Sequence, residues 1–500
     1  MKSIAKKLRI PLWLTILLFV FFLLRVPSFF EPYSYGDEMI YLTLGQGVRQ
    51  GIPLYSQLHD NKPPLLYIVA AVAGNLFWFK AILSAWILTT VVFFWKLAKA
   101  LYPKNEKLQK VAVSVFGIFT TIPLLEGNIA NAELFMIGPI IYGFLILLTQ
   151  KLSPRNLIKA GLAFSVATLF KVPAAFDIGA ILVFWVITGG IKKTNIVASV
   201  KNFAYILLGF LIPILFTLVW YAFHGALPEY FVAAFLQNLG YLSTWRGEVQ
   251  APFFIRNIPL FVRFGIVVVT LGIVFWKKKY LSREFIFLTC WLAFALFAVT
   301  LSERPYPHYL IQAIAPISFF LGILFTEKNL MQTLAIIPLA ISTFVPVYYK
   351  YWNYSTYAYY ARFVNFFQGK ISKETYLSSF NKSVPRNYDI ANFISSITKP
   401  EEKVLVWGDS ATIYALSRRL PPIKYVADYH IKDFSSLDEI IIQITETPPT
   451  VVVVLPEAEN FPKLHSLLRE KYILLTIIDG AEIWKVLSLN AQSAIITSTF

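Results

Sequence analysis

Long apolar runs alternate with short polar gaps through the first 350 residues of the chain. The runs fall at 10–30, 82–101, 111–126, 132–150, 157–173, 174–191, 200–222, 259–276, 284–301, 308–325 and 331–348. A helix needs about 20 such residues to cross the hydrocarbon of a bilayer, so the pattern predicts a multi-pass α-helical membrane protein with about 11 spans. The gaps carry a pattern of their own. Lys2, Lys6, Lys7 and Arg9 precede the first run. Further clusters follow at Lys96 to Lys110, Lys151 to Lys159, Lys192 to Lys201 and Lys277 to Arg283. Basic clusters mark cytoplasmic loops, which places the N-terminus in the cytoplasm and the C-terminus outside. Residues 63–101 hold two apolar stretches separated by Lys80. Two crossings there would carry the 96–110 cluster outside, so one span at 82–101 is predicted, with 64–79 lying along or dipping into the outer interface. The first run lacks a small-residue cleavage site and reads as a retained helix.

Composition agrees with this pattern. The 500 residues are 57% hydrophobic and 15% charged, well below the charged share of roughly 25% in soluble proteins. The net charge of +17 lies in the topology clusters and forms no basic stripe with interleaved aromatics, so nucleic acid is not expected as a partner. Cys290 is the only cysteine, which rules out a disulfide or a thiolate metal site within one chain.

Beyond 350 the texture changes. Tyrosines crowd residues 348–363, and amphipathic rings suit the headgroup layer; the segment 351–385 is expected to be interfacial. From 386 to 500 the pattern predicts a small extracytoplasmic α/β domain, with strands at 403–407, 424–427, 451–455 and 472–478 and helices at 410–416 and 461–468. No glycine-rich phosphate loop follows its strands, so no cofactor is expected there.

The predicted outer loops hold the candidate chemistry. The first, 31–81, carries Tyr35-Gly36-Asp37-Glu38, then Tyr41, Tyr55 and His59-Asp60-Asn61-Lys62-Pro63-Pro64. Adjacent carboxylates just past a span are costly near lipid and suggest a role, against the plainer reading of a solvated loop. Pro63 and Pro64 fix an extended backbone that holds the Lys62 ammonium at headgroup depth, where a lipid phosphate sits. The second large outer loop, 223–258, holds His224, Glu229, Arg246 and Glu248. A further corner, Ser302-Glu303-Arg304-Pro305-Tyr306-Pro307-His308-Tyr309, offers a guanidinium fork and an imidazole for phosphate oxygens; interfacial anchoring is its alternative. Glu133 opens an outer helix and is read first as complementing the helix dipole. Lys171 ends a helix on the side where lysine is disfavoured. An enzyme outside the cytoplasm has no soluble nucleotide sugars and would use a sugar on a polyprenyl phosphate. Asp37 would then act as base toward the acceptor, and Lys62, Arg304 and His308 would stabilise the leaving phosphate.

These motifs resemble the GT-C glycosyltransferases, in particular the bacterial family akin to protein O-mannosyltransferases and aminoarabinose transferases. The resemblance rests on Asp37-Glu38, Pro53-Leu54-Tyr55, Lys62-Pro63-Pro64-Leu65, Gly161-Leu162-Ala163 through Lys171, and Arg304 through Tyr309, and it covers residues 10–350. It implies a GT-C transmembrane domain over 1–350, with seven helices before the 223–258 loop. It also implies catalytic Asp37 and Glu38 and a donor-phosphate site at Lys62, Arg304 and His308, with Tyr55, His59, Asp60, Glu133, Lys171 and Tyr309 in support. The implied partners are a polyprenyl-phosphate sugar, a lipid, glycan or protein acceptor, and membrane lipids. No cofactor is required; a divalent metal stays open because some relatives bind one, although the position before the lysine, acidic in some relatives, is Asn61 here. The alternatives are a surface-polysaccharide polymerase or ligase, and a transporter. The transporter is disfavoured because repeats are not evident and the spans look almost free of interior charge.

Overall fold

The computed structural model describes residues 10–190, 192–240 and 253–487. The basic cluster before residue 10, Arg246, Glu248 and the last residues of the C-terminal domain lie outside them. Eight described helices have the length and apolarity to cross a membrane: Leu12–Phe30, Leu76–Leu101, Ala132–Thr149, Val172–Gly189, Lys193–Phe223, Ile258–Tyr280, Pro307–Thr326 and Leu330–Tyr348. Three somewhat shorter helices, Glu106–Phe119, Pro154–Phe170 and Arg283–Val299, stand where the remaining predicted spans fall. The protein is a multi-pass helical membrane protein.

Glycines set the closest approaches in the bundle. A Cβ on Gly161 would lie 2.0 Å from the Ile206 carbonyl oxygen, and one on Gly209 would lie 2.2 Å from that of Ile158. The 154–170 and 193–223 helices therefore touch backbone to backbone, as small residues allow between membrane helices. Gly161 belongs to the Gly-Leu-Ala motif, and this packing accounts for it.

The 63–101 region departs from expectation in one respect. Helix Leu65–Ala73 ends at Gly74, which takes the left-handed conformation (φ 69), as a C-terminal glycine does. Asn75 then caps a new helix through its side chain, which accepts from the Trp78 amide at 3.0 Å. The span therefore starts at Leu76 instead of 82, and Lys80 lies inside it, fully buried. Nor are the spans almost free of charge: Arg25, Lys80, Glu133, Asp177 and His308 are all buried, and each has partners, as hydrocarbon demands. Asp177, for example, accepts from Trp291 Nε1 (2.7 Å) and Gln312 Nε2 (2.6 Å).

The segment expected to be interfacial contains helix Thr356–Phe367. It is tied to the bundle by Tyr359 Oη, which donates to Glu31 (2.5 Å), and by Tyr360 Oη, which donates to the Leu24 carbonyl (2.9 Å). The C-terminal region is built on a four-stranded sheet of Val404–Trp407 (β1), Val451–Val454 (β2), Tyr472–Ile478 (β3) and Ala481–Val486 (β4), in the order β1-β2-β4-β3. β1 and β2 pair in parallel and are buried at every position, which suits their continuous apolar runs. β4 is antiparallel to both of its neighbours and was not expected. Its signal is Asp479-Gly480, both at positive φ, the residue pair of a two-residue hairpin turn. The strand expected at 424–427 does not form. The Lys424 carbonyl instead accepts from the His59 amide of the first loop, at 2.8 Å.

Candidate active site

Helix Gly36–Arg49 begins the site by placing Asp37 and Glu38 in its first turn, where carboxylates complement the helix dipole. Gly45 lets this helix lie directly on Leu65–Ala73, since a Cβ there would come within 2.6 Å of the Ala71 amide. The two acids then part company. Asp37 is half-buried and accepts from Tyr41 Oη at 2.9 Å. Glu38 is buried, 2.7 Å from Lys80 Nζ, and also accepts from the Ala130 amide (2.6 Å). Lys80 also contacts Glu31 (2.8 Å) and donates to the Asn128 carbonyl (2.8 Å). Burial pushes the Glu38 carboxyl up, to about 7, while Lys80 pulls it down and Glu31 adds to the rise. The geometry makes Glu38 part of a sealed ion cluster that fixes the helix start, at odds with the expectation of a reacting group. Lys80 and Glu31 were missed as functional positions, although a lysine inside an apolar run calls for a buried partner.

Around Lys62 the loop is strongly constrained. Tyr55 takes a left-handed backbone (φ 72), uncommon for a bulky residue. From there its hydroxyl donates to the Lys62 carbonyl at 2.8 Å. Lys62 Nζ lies 3.6 Å from Asp60 Oδ2 and 5.1 Å from the centre of the Tyr41 ring. Tyr41 thus touches both Asp37 and the lysine. Burial alone would raise Asp60, but Lys62 and His430 hold it below the usual carboxylate range. His59 is buried, and burial lowers its imidazole to about 4.

Lys62 lines a cavity of about 220 Å³ together with Asn61, Glu133, Lys171, Ser302 and Tyr309. Lys171 pairs with Glu133, and its ammonium sits 3.9 Å from the centre of the Tyr309 ring. The cavity therefore gathers two ammonium groups with one carboxylate and an aromatic face. Arg304 and His308 do not line it. Arg304 is half-buried beside Glu303, which is left-handed (φ 55) and 2.7 Å from Arg263 Nη2. His308 is buried between two acids: Nδ1 pairs with Glu126, and Nε2 lies 3.6 Å from Glu133 Oε1. Tyr35 Oη also donates to Glu126, at 2.8 Å. Its two carboxylate neighbours account for His308 being turned away from the cavity. It meets the cavity wall through Glu133 and through the Tyr309 ring, 4.8 Å between centroids. Nothing in the local sequence of Glu126 pairs it with a residue so far along the chain.

The C-terminal region closes the other side. Its helix Ala411–Ser417 packs on Gly36–Arg49, and Asp409 is pushed up, to about 6, by burial with Asp428 and Asp37 nearby. Among the described residues no group of three His, Cys, Asp or Glu side chains is arranged to hold a metal ion. The acids around Lys62 face lysines, and Asn61 precedes it.

With its helices, buried loop and small sheet, the chain has the GT-C fold of membrane glycosyltransferases. The aminoarabinose transferase ArnT from Cupriavidus metallidurans in the apo state matches with TM-score 0.56 and 13% identity, covering 96% of this chain and 98% of ArnT. Its structure bound to undecaprenyl phosphate gives 0.55 at 13% identity, with coverage of 96% and 99%. The archaeal oligosaccharyltransferase AglB from Archaeoglobus fulgidus, in complex with an inhibitory peptide and a dolichol-phosphate, gives 0.46 at 11%, with coverage of 91% and 70%. No protein-family model and no curated protein matches the sequence.

Proposed function

We propose that this protein is an inverting glycosyltransferase. It moves a sugar from a polyprenyl-phosphate donor to a lipid, glycan or protein acceptor at the outer face of the cytoplasmic membrane, with its N-terminus inside and its C-terminal domain outside. The observation that carries the reading is the cavity where Lys62 and Lys171 come together, joined to Asp37 through Tyr41. The ArnT structure of the same fold that holds undecaprenyl phosphate supports a lipid phosphate as the anion.

In this mechanism Asp37 takes the proton of the acceptor hydroxyl as its oxygen attacks the anomeric carbon. The bond from that carbon to the phosphate oxygen breaks, and the polyprenyl phosphate leaves with the electron pair. Lys62 and Lys171 stabilise the charge that develops on it. One displacement inverts the anomeric configuration. Tyr41 orients Asp37, and Glu133 with His308 orients Lys171. Glu38 and Lys80 hold the helix that carries the base.

The test is incubation of the purified protein with a radiolabelled polyprenyl-phosphate sugar and a lysate of acceptors. Donor is expected to be consumed by the natural protein and spared by Asp37→Asn. Equal consumption by both would remove Asp37 from the mechanism.

A further inference from the structure

We propose that the C-terminal domain is a component of the donor site: its 424–434 segment clamps His59 and Asp60 and so sets the position of the Lys62 ammonium. This rests on the donor site proposed above. The clamp begins with the main chain, where the His59 amide donates to the Lys424 carbonyl at 2.8 Å. The His59 ring is then enclosed by Phe434 (4.9 Å between centroids), Tyr425 (5.4 Å) and His430 (6.4 Å). Next along the loop, Asp60 is 1% exposed and stands between two basic groups. His430 Nε2 lies 3.8 Å from its Oδ1, and Lys62 Nζ lies 3.6 Å from its Oδ2. Asp60 Oδ1 also accepts from the Asn61 amide at 2.7 Å, so a shift of this buried carboxylate changes its distances to the loop backbone, His430 and Lys62 together. Tyr55 and Asn238 hold the main chain at Lys62 and Asn61 (2.8 and 2.9 Å), and Asp60, with the Tyr41 ring 5.1 Å away, directs the lysine side chain. His430 is thus a positioning residue that acts on the donor phosphate through Asp60 and Lys62, from a part of the chain far from the motifs of the first loop.

A binding cycle on the full-length purified protein in nanodiscs, with undecaprenyl phosphate as probe, tests this. His430→Ala should weaken binding about 10-fold, the range of coupling within one contact network. His430→Gln, which keeps a polar group of similar volume, should recover most of the loss. In a Lys62→Gln background His430→Ala should add nothing, since the lysine through which it acts is gone. Additive losses, or unchanged affinity in His430→Ala, would overturn the clamp. If His430→Ala does not fold, Tyr425→Ala carries the same cycle with the same criterion. Failure of the natural protein to bind undecaprenyl phosphate would instead sink the donor site itself.

Discussion

Lys80 and Lys62 are two lysines of the same 31–81 region, each beside acids, and the difference between them is the one the proposed mechanism draws between scaffold and chemistry. Lys80 is fully buried, with Glu31 and Glu38 at 2.8 and 2.7 Å and a backbone carbonyl at 2.8 Å. Its three donors are fully used. Lys62 keeps a side chain that is 20% exposed, has Asp60 at the longer distance of 3.6 Å, and borders a cavity with a second ammonium. A sealed and saturated cation can only hold structure, because a ligand would have to displace its partners. A cation held at longer range on a cavity wall can meet a new anion. The same division separates Glu38 from Asp37, adjacent in sequence, the one buried and the other only half-buried.

That comparison can be broken by experiment. The largest expected effect is at Asp37. Asp37→Asn should lower donor turnover by about 10³-fold, within the usual range for a lost general base, with donor binding little changed. Lys80→Met should act through the fold. Leaving Glu31 and Glu38 buried without their cation costs about 3–5 kcal/mol, read as a fall in the thermal midpoint and a loss of folded protein after extraction. A well-folded Lys80→Met with weakened donor affinity would erase the distinction between the two lysines. Lys62→Gln should act mainly on binding, raising the dissociation constant for undecaprenyl phosphate by about 10–100-fold, the cost of one lost charge-assisted contact, with a smaller fall in the thermal midpoint than Lys80→Met gives.

The two halves of each pair were unequally legible in the sequence. Spans and basic loops follow from local composition, so the eleven runs all coincide with helices. Gly74-Asn75 and Asp479-Gly480 were readable stop, start and turn signals, and attending to them would have moved the span to residue 76 and added the last strand. Asp37 and Lys62 stood out because polar groups were spaced beside a span and two prolines. The partners that decide their roles come from elsewhere: Lys80 for Glu38, Glu126 for His308, His430 for Asp60. No local period encodes such contacts. The sequence pattern could place Arg304 and His308 on the same corner but not show that two acids draw the imidazole into the interior.

The smallest effect concerns acid, and it probes the loop that bears Lys62. Burial lowers the His59 imidazole to about 4 and lowers His430 as well, against about 6.5 in an unfolded chain. Both are bases with depressed values, so the folded form keeps them neutral. Above pH ~6.5 neither state binds the extra proton and the docking is at full strength. As pH falls below that value the unfolded state takes up protons that the docked loop refuses. Each imidazole then costs about 1.4 kcal/mol per pH unit until its folded value is reached. Asp60, held low by Lys62 and His430, contributes in a different window, since its share is lost only as pH falls through the acid range below the usual carboxylate value. Hydrogen exchange of the 55–62 amides, corrected for intrinsic rate, should therefore speed up between pH 7 and 5, before the sealed cluster at Lys80 loosens. His430→Gln should flatten that slope by one imidazole's share. Exchange that is flat over this range, or that rises equally at Lys80 and at Lys62, would mean that the clamp and the scaffold are one cooperative unit.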